Sequence, residues 1–181
     1  MILEHWGATP DEVSRMMVGD DLCPDARLIA TRAITIAAPP SEVFPWLRQM
    51  GFGRAGWYSY DIIDNLGRRS ARAINPEWQT LSAGDDVPGG PASFTAMVVD
   101  PPRALVIVLG DGDPTARKVN FTLSYELGDD PRGTRLISRV RARVDLPGGR
   151  IIERMLLGPG DGIMLRKQLL NIAGRFDTTV R

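Results

Sequence analysis

The sequence has little reactive chemistry: one histidine and one cysteine in 181 residues, and 22 basic and 22 acidic side chains that cancel to zero formal net charge. Each scarcity removes a class of function. A lone Cys23 forms no internal disulfide, and Cys/His zinc sites need several such ligands, so no metal and no cofactor is expected. His5 lies near the start of the chain. A Ser-His-Asp or Cys-His site would depend on that terminal segment, and a solvated or capping histidine is the plainer reading. The strong basic excess of a nucleic-acid binder is missing. The segment Met1–Trp6 lacks the basic and apolar regions of a secretory signal. The longest apolar run, Ala104–Leu109, falls far short of the ~20 residues that cross a bilayer. The expectation is a soluble, cytoplasmic protein without membrane insertion, its oligomeric state left open. Lysine is scarce too: Lys118 and Lys167 are the only two, and every other basic residue is arginine.

What is present reads as a folded domain. A chain that is 43% hydrophobic and 24% charged has the balance of a packed core rather than of a disordered or fibrous protein. The length suits one domain over residues 1–181, with an N-terminal arm over 1–27 and a core over 28–181. Thr9-Pro10-Asp11-Glu12 is a capping box that opens a short helix, closed by Gly19-Asp20-Asp21. The paired aspartates are read as turn chemistry rather than as a metal site.

Leu28–Ala37 is a strand, ended by Pro39-Pro40. A helix opening at Ser41-Glu42 carries Val43, Phe44, Trp46, Leu47 and Met50 on one face. Trp57–Leu66 is expected to be helical and Asp85–Gly90 a turn. Ser93–Val99 and Ala104–Leu109 are strands, and Asp111-Gly112-Asp113-Pro114 is a turn. Lys118–Leu127 alternates, with Val119, Phe121, Leu123, Tyr125 and Leu127 on one face. Thr134–Asp145 alternates again, with Leu136, Ser138, Val140, Ala142 and Val144 opposite Arg135, Ile137, Arg139, Arg141 and Arg143. A helical region follows over Arg150–Leu157, breaks at Gly158-Pro159-Gly160, and resumes from Gly162 to about Phe176. Its stripe of Leu165, Leu169, Ile172 and Phe176 must pack on something. This order of elements is α+β, an antiparallel sheet covered by helices on one face.

Thr31-Arg32-Ala33-Ile34-Thr35-Ile36-Ala37-Ala38-Pro39-Pro40-Ser41-Glu42-Val43-Phe44-Pro45-Trp46-Leu47 resembles the opening strand and helix of the SRPBCC (START-like, helix-grip) superfamily. Gln49–Asp61, Asp100–Val106, Gly133–Leu136 and Met164–Lys167 are similar to one bacterial branch of it, described as polyketide cyclase/dehydrase and lipid-transport-like. The resemblance implies a curved antiparallel sheet wrapped around a long C-terminal helix, with a hydrophobic cavity between them. The superfamily holds polyketide aromatase/cyclases, lipid-transfer domains, plant ligand carriers and co-chaperones. The Gly158-Pro159-Gly160 break departs from an unbroken helix, which leaves the cavity's lid undefined.

Four motifs admit both a functional and a structural reading. Gly51-x-Gly53-x-x-Gly56 is literally a dinucleotide fingerprint, but it follows a helix in an antiparallel chain, so a turn that re-aims Trp57 and Tyr58 is the better reading. Asp61 and Asp64 could pair as acid and base, and exposed helix carboxylates are commoner. The arginines of the last strand read as a solvated outer face paired with Glu126 and its neighbours. Met155 and Met164 flank the helix break and could line a cavity.

Small Ser138 and Ala142 leave room beneath the last helix. The leading expectation is therefore a small hydrophobic or aromatic ligand, lipid or polyketide-like, bound without catalysis. Phe94, Phe121, Leu123, Tyr125, Met164 and Leu165 would supply the walls, with Trp57 and Tyr60 near the entrance, and no residue is assigned as catalytic. Two other readings stay open: an aromatase/cyclase-like enzyme working with Asp, Tyr and Arg, and a co-chaperone-like interaction module.

Overall fold

A computed structural model describes residues 4–90, 93–110, 118–147 and 158–177. Its sheet contains β1 (Leu28–Ile36), β2 (Asp86–Pro88), β3 (Ser93–Asp100), β4 (Ala104–Leu109), β5 (Val119–Asp130) and β6 (Gly133–Val144). The strand order is β1-β6-β5-β4-β3-β2, and every neighbouring pair is antiparallel. The alternation read in the last two long strands sets the register, because a one-residue slip would turn every side chain to the opposite face. Phe121 lies opposite Ala142, Leu123 opposite Val140 and Tyr125 opposite Ser138, all on the inner face. β2 corrects one expectation. Asp85–Gly90 is not simply a turn, since its centre pairs with β3 as a short edge strand that buries Val87.

Among the described residues, four α-helices accompany the sheet: α1 (Pro10–Ser14), α2 (Pro40–Arg48), the single turn α3 (Asp61–Asp64) and the C-terminal α4 (Gly158–Ala173). α2 buries Val43, Phe44, Trp46 and Leu47. Pro45 stands inside it, past the first turn, so the helix gives up the bond from position 45 to the Ser41 carbonyl. α4 packs against β1 and buries Leu165, Leu169 and Ile172 in the same core as the α2 residues, Leu123, Tyr125, Leu136 and Val140. Each such aliphatic side chain contributes about 1.5–3 kcal/mol by leaving water.

The expected break at Gly158-Pro159-Gly160 is instead the first turn of α4. Proline there lacks only a donor that has no partner at a helix start. Phe176 lies beyond the helix, with its ring edge-on to Trp46 at 6.5 Å. The turn expected at Asp111-Gly112-Asp113-Pro114, the helix expected over Arg150–Leu157, and Met155 lie outside the described residues.

The outer face of the sheet is not solvated where the arginines stand, contrary to the expectation, because the N-terminal arm lies across it. α1 starts with the capping box: the Glu12 amide donates to Thr9 Oγ1 at 3.2 Å, and the Thr9 amide to Glu12 Oε2 at 2.7 Å. Arg135 then donates to Glu12 at 2.7 Å and to the Gly7 carbonyl at 2.7 Å. Arg139 is 3% exposed and uses its whole fork. It reaches Asp20 at 2.6 Å, Thr31 Oγ1 at 2.9 Å and the carbonyls of Glu12, Val13 and Arg15 at 2.7–3.0 Å.

Further along, Arg141 donates to the carbonyls of Cys23 and Pro24, and Arg143 pairs with Asp25 and Asp145. Glu126, the partner expected for this row, accepts from Arg15 at 2.6 Å and from the Val18 amide at 2.7 Å instead. Met17 completes the seal in a small apolar cluster with Ala33 and Ile137.

Candidate functional site

The glycine-rich segment after α2 sets the geometry of the site. Gly51 and Gly56 bond to each other in both directions, at 3.2 and 3.0 Å, and close a tight loop. Both have positive φ, 136° and 75°, which glycine adopts without steric cost. A helix precedes this loop and the sheet is antiparallel, so the geometry of a dinucleotide site is absent, as the sequence indicated.

The loop aims Trp57 and Tyr58 in different directions. They are not helical as expected: Tyr58 has φ 57°, and only Asp61–Asp64 forms a turn of helix. Two side chains of α4 hold the backbone there. Gln168 donates to the Trp57 carbonyl at 2.8 Å, and Asn171 to the Tyr58 carbonyl at 2.7 Å. These tertiary bonds override the local helical pattern. Trp57 turns toward the sheet, where its ring meets Phe94 edge-on at 5.7 Å, and Phe94 meets Phe121 at 5.8 Å. Tyr58 turns the other way, fully buried, edge-on to Trp46 at 6.0 Å. Burial pushes the Tyr58 hydroxyl up to about 12, so it stays protonated and donates no charge to its surroundings.

The structure therefore gathers Trp57, Phe94 and Phe121 into a half-buried aromatic chain on the inner face of the sheet. Leu123, Tyr125 and Leu165 lie deeper in the core, and Met164 is half-buried on α4. Tyr60 does not join them; it caps α3 at the surface and is 40% exposed.

A line of polar residues crosses the inner face further along the strands; Tyr125 and Ser138 were expected there, and Arg32 and Gln168 were not. Arg32 lies opposite Ser138, and Ser138 opposite Tyr125, with all three side chains fully buried. The Tyr125 hydroxyl donates to Gln168 Oε1 at 2.6 Å, while Gln168 Nε2 also reaches the Met50 sulfur at 3.5 Å. The Ser138 hydroxyl has no hydrogen-bond partner among the described residues. A signal for Arg32 existed. Leu28, Ala30, Arg32, Ile34 and Ile36 alternate, which puts the arginine on the apolar face of β1. Gln168 likewise falls between Leu165 and Leu169 on the buried stripe of α4.

No hydrogen bond joins Asp61 to Asp64. Asp61 accepts from the Ser70 amide at 3.1 Å and from its hydroxyl at 2.5 Å. Asp64 is half-buried, with neither carboxylate oxygen well bonded among the described residues. Burial, reinforced by the neighbouring Asp61 charge, pushes Asp64 up to about 6. No group of three His, Cys, Asp or Glu side chains among the described residues is placed to hold a metal ion. No helix among them is long and apolar enough to cross a membrane.

No known family profile matches the chain, and neither does any curated protein. Solved structures do resemble it. The Aha1 dimer of Colwellia psychrerythraea, solved in solution, is 13% identical, with a TM-score of 0.53 over 84% of this chain and 98% of that one. A structural-genomics protein of Mesorhizobium loti is 14% identical, with a TM-score of 0.52 over 84% and 99%. A Mycobacterium smegmatis protein is 15% identical, with a TM-score of 0.51 over 85% and 93%. At such identities the likeness is one of fold alone. The chain is an α+β protein whose six-stranded antiparallel sheet and C-terminal helix make a helix-grip-like fold, an architecture compatible with the SRPBCC resemblance.

Proposed function

We propose that the protein binds a small apolar or aromatic molecule between the inner face of the sheet and α4, without transforming it. The observation that carries this reading is the half-buried chain Trp57, Phe94 and Phe121 on the inner face of the sheet, with the buried, unpartnered Ser138 hydroxyl further along β6. Aromatic walls with a few fixed polar contacts are what a pocket for such a ligand requires. Titration with the neutral fluorophore N-phenyl-1-naphthylamine tests it. Saturable binding is expected, weakened roughly tenfold in Trp57→Ala and in Phe121→Ala, each of which removes ring contact. Absence of saturable binding, or unchanged affinity in both variants, would sink the reading.

A cyclase- or aromatase-like activity is the second reading. It is favoured by two ionisable residues, Arg32 and Tyr125, on the same inner face. Tyr125→Phe keeps the ring and removes the hydroxyl. Retained fluorophore binding with lost turnover of an aromatic polyketone would move the assignment to an enzyme. The interaction-module reading would use the exposed turn that carries Ile62, Ile63 and Leu66.

A further inference from the structure

A cleft lies beside the C-terminal end of α4, and none of its lining residues belongs to the aromatic chain. It encloses about 690 Å³ between the segment 69–72 and the end of the helix, and Asp61, Arg69, Ser70, Arg72, Asn171 and Arg175 line it. Arg175 is fixed there. Its guanidinium stacks over Tyr58 at 4.3 Å and Trp46 at 4.7 Å, and it donates to the carbonyls of Asn171 and Ala71. These bonds use only part of its fork, and its Nε–H has no partner among the described residues.

Arg69 and Arg72 stand at the rim, exposed, and neither has a carboxylate at ion-pair distance among the described residues. Arg72 is close enough to Arg175 for the two charges to repel. The one carboxylate lining the cleft, Asp61, already accepts two hydrogen bonds from Ser70. Three guanidinium groups therefore face one committed acid, and the cleft carries surplus positive charge next to a rigid, stacked arginine.

The contrast with the opposite side of the molecule is informative. There, every arginine of the β6 row meets an acid or a backbone carbonyl. Like charges that outnumber the acids around a concave surface form a site for a multiply charged oxyanion, since a planar fork matches two oxygens at once.

We infer that this cleft binds a phosphate group, with Arg175 as the fixed donor and Arg69 and Arg72 closing over it. The site is separate from the aromatic chain, so its test is independent of the ligand proposed there. The phosphate comes either from a soluble phosphorylated molecule or from an anionic lipid headgroup, which the adjacent exposed Ile62, Ile63 and Leu66 would accompany into a membrane surface.

Two titrations at constant ionic strength, with chloride as the control, decide between them: pyrophosphate followed by NMR of the arginine Nε–H signals, and phosphatidylglycerol vesicles followed by co-sedimentation. Saturable pyrophosphate binding that falls at least tenfold in the Arg69→Ala/Arg72→Ala variant supports the site and a soluble ligand. Vesicle binding alone, lost in the same variant, supports the site and a lipid source. Neither form of binding, or binding that survives the double substitution in a variant of unchanged thermal midpoint, overturns the proposal. Both substituted residues are exposed, so the variant is expected to fold.

Discussion

Asp64 shows how much one side chain reveals when its surroundings withhold what it needs. An unfolded aspartate titrates near 3.8, and this one is pushed up to about 6 by burial and by Asp61. Below about pH 4 both states hold the proton and the group costs nothing. Between about pH 4 and 6 the folded chain holds more protons than the unfolded one, so stability falls as pH rises; above that the loss is constant. The full shift would amount to nearly 3 kcal/mol, and solvent access to a half-buried side chain reduces it to about 1 kcal/mol. Asp64→Asn is therefore expected to stabilise the protein by about 1 kcal/mol at pH 7–8 and to have almost no effect at about pH 3. Urea unfolding at the two pH values checks this, and equal effects at both would show that the carboxylate is not strained.

Between elements, the strongest tie is the one from β6 to the N-terminal arm. Arg139 and Asp20 are a buried ion pair at 2.6 Å. Removing Arg139 leaves the buried Asp20 with the more distant Arg141 as its cation, at 3.8 Å, a loss of about 3 kcal/mol. Arg139→Ala should lower the unfolding free energy from urea titration by that amount, and adding Asp20→Asn should restore part of it by deleting the charge left behind. A double variant no more stable than Arg139→Ala would mean that the backbone carbonyls, not the ion pair, carry the tie.

This contact also marks where sequence reading stops. The alternation of β5 and β6, the capping box at Thr9 and the stripe of α4 were legible because neighbours in sequence decide them. What covers the arginines was not legible, since Arg139 meets residues more than a hundred positions away. The segment Trp57–Leu66 misled for a related reason. Its own pattern favours helix, and Gln168 and Asn171 pull it out of one. Arg32 was readable from the alternation of β1, and within the candidate site it is the residue whose signal was local. Gln168 gave a weaker one, a polar residue on an apolar stripe. The junction of Trp57, Phe94 and Phe121 depends on a glycine loop whose direction no local rule sets.

Across the whole molecule, the sheet is covered on both sides over β1 and β6, by α4 within and by the arm without. An antiparallel sheet commonly leaves one side to water, and here the arginines, which would suit that side, serve as ties. A chain of zero formal net charge thereby holds its acids and bases in local register on one flank, while the cleft at Arg69, Arg72 and Arg175 keeps an excess.

The arm's attachment has a dynamic consequence. Arginine donors from one strand end on carbonyls spread from Gly7 to Pro24, so the arm cannot fray residue by residue without orphaning several of them together. Arm and β6 should then open as one cooperative unit. Native-state hydrogen exchange measures this directly. The amides of Val13, Asp20 and Leu22, each bonded within the arm, are expected to share an opening free energy with those of β6. Shallow, independent values would mean that the arm merely rests on the sheet.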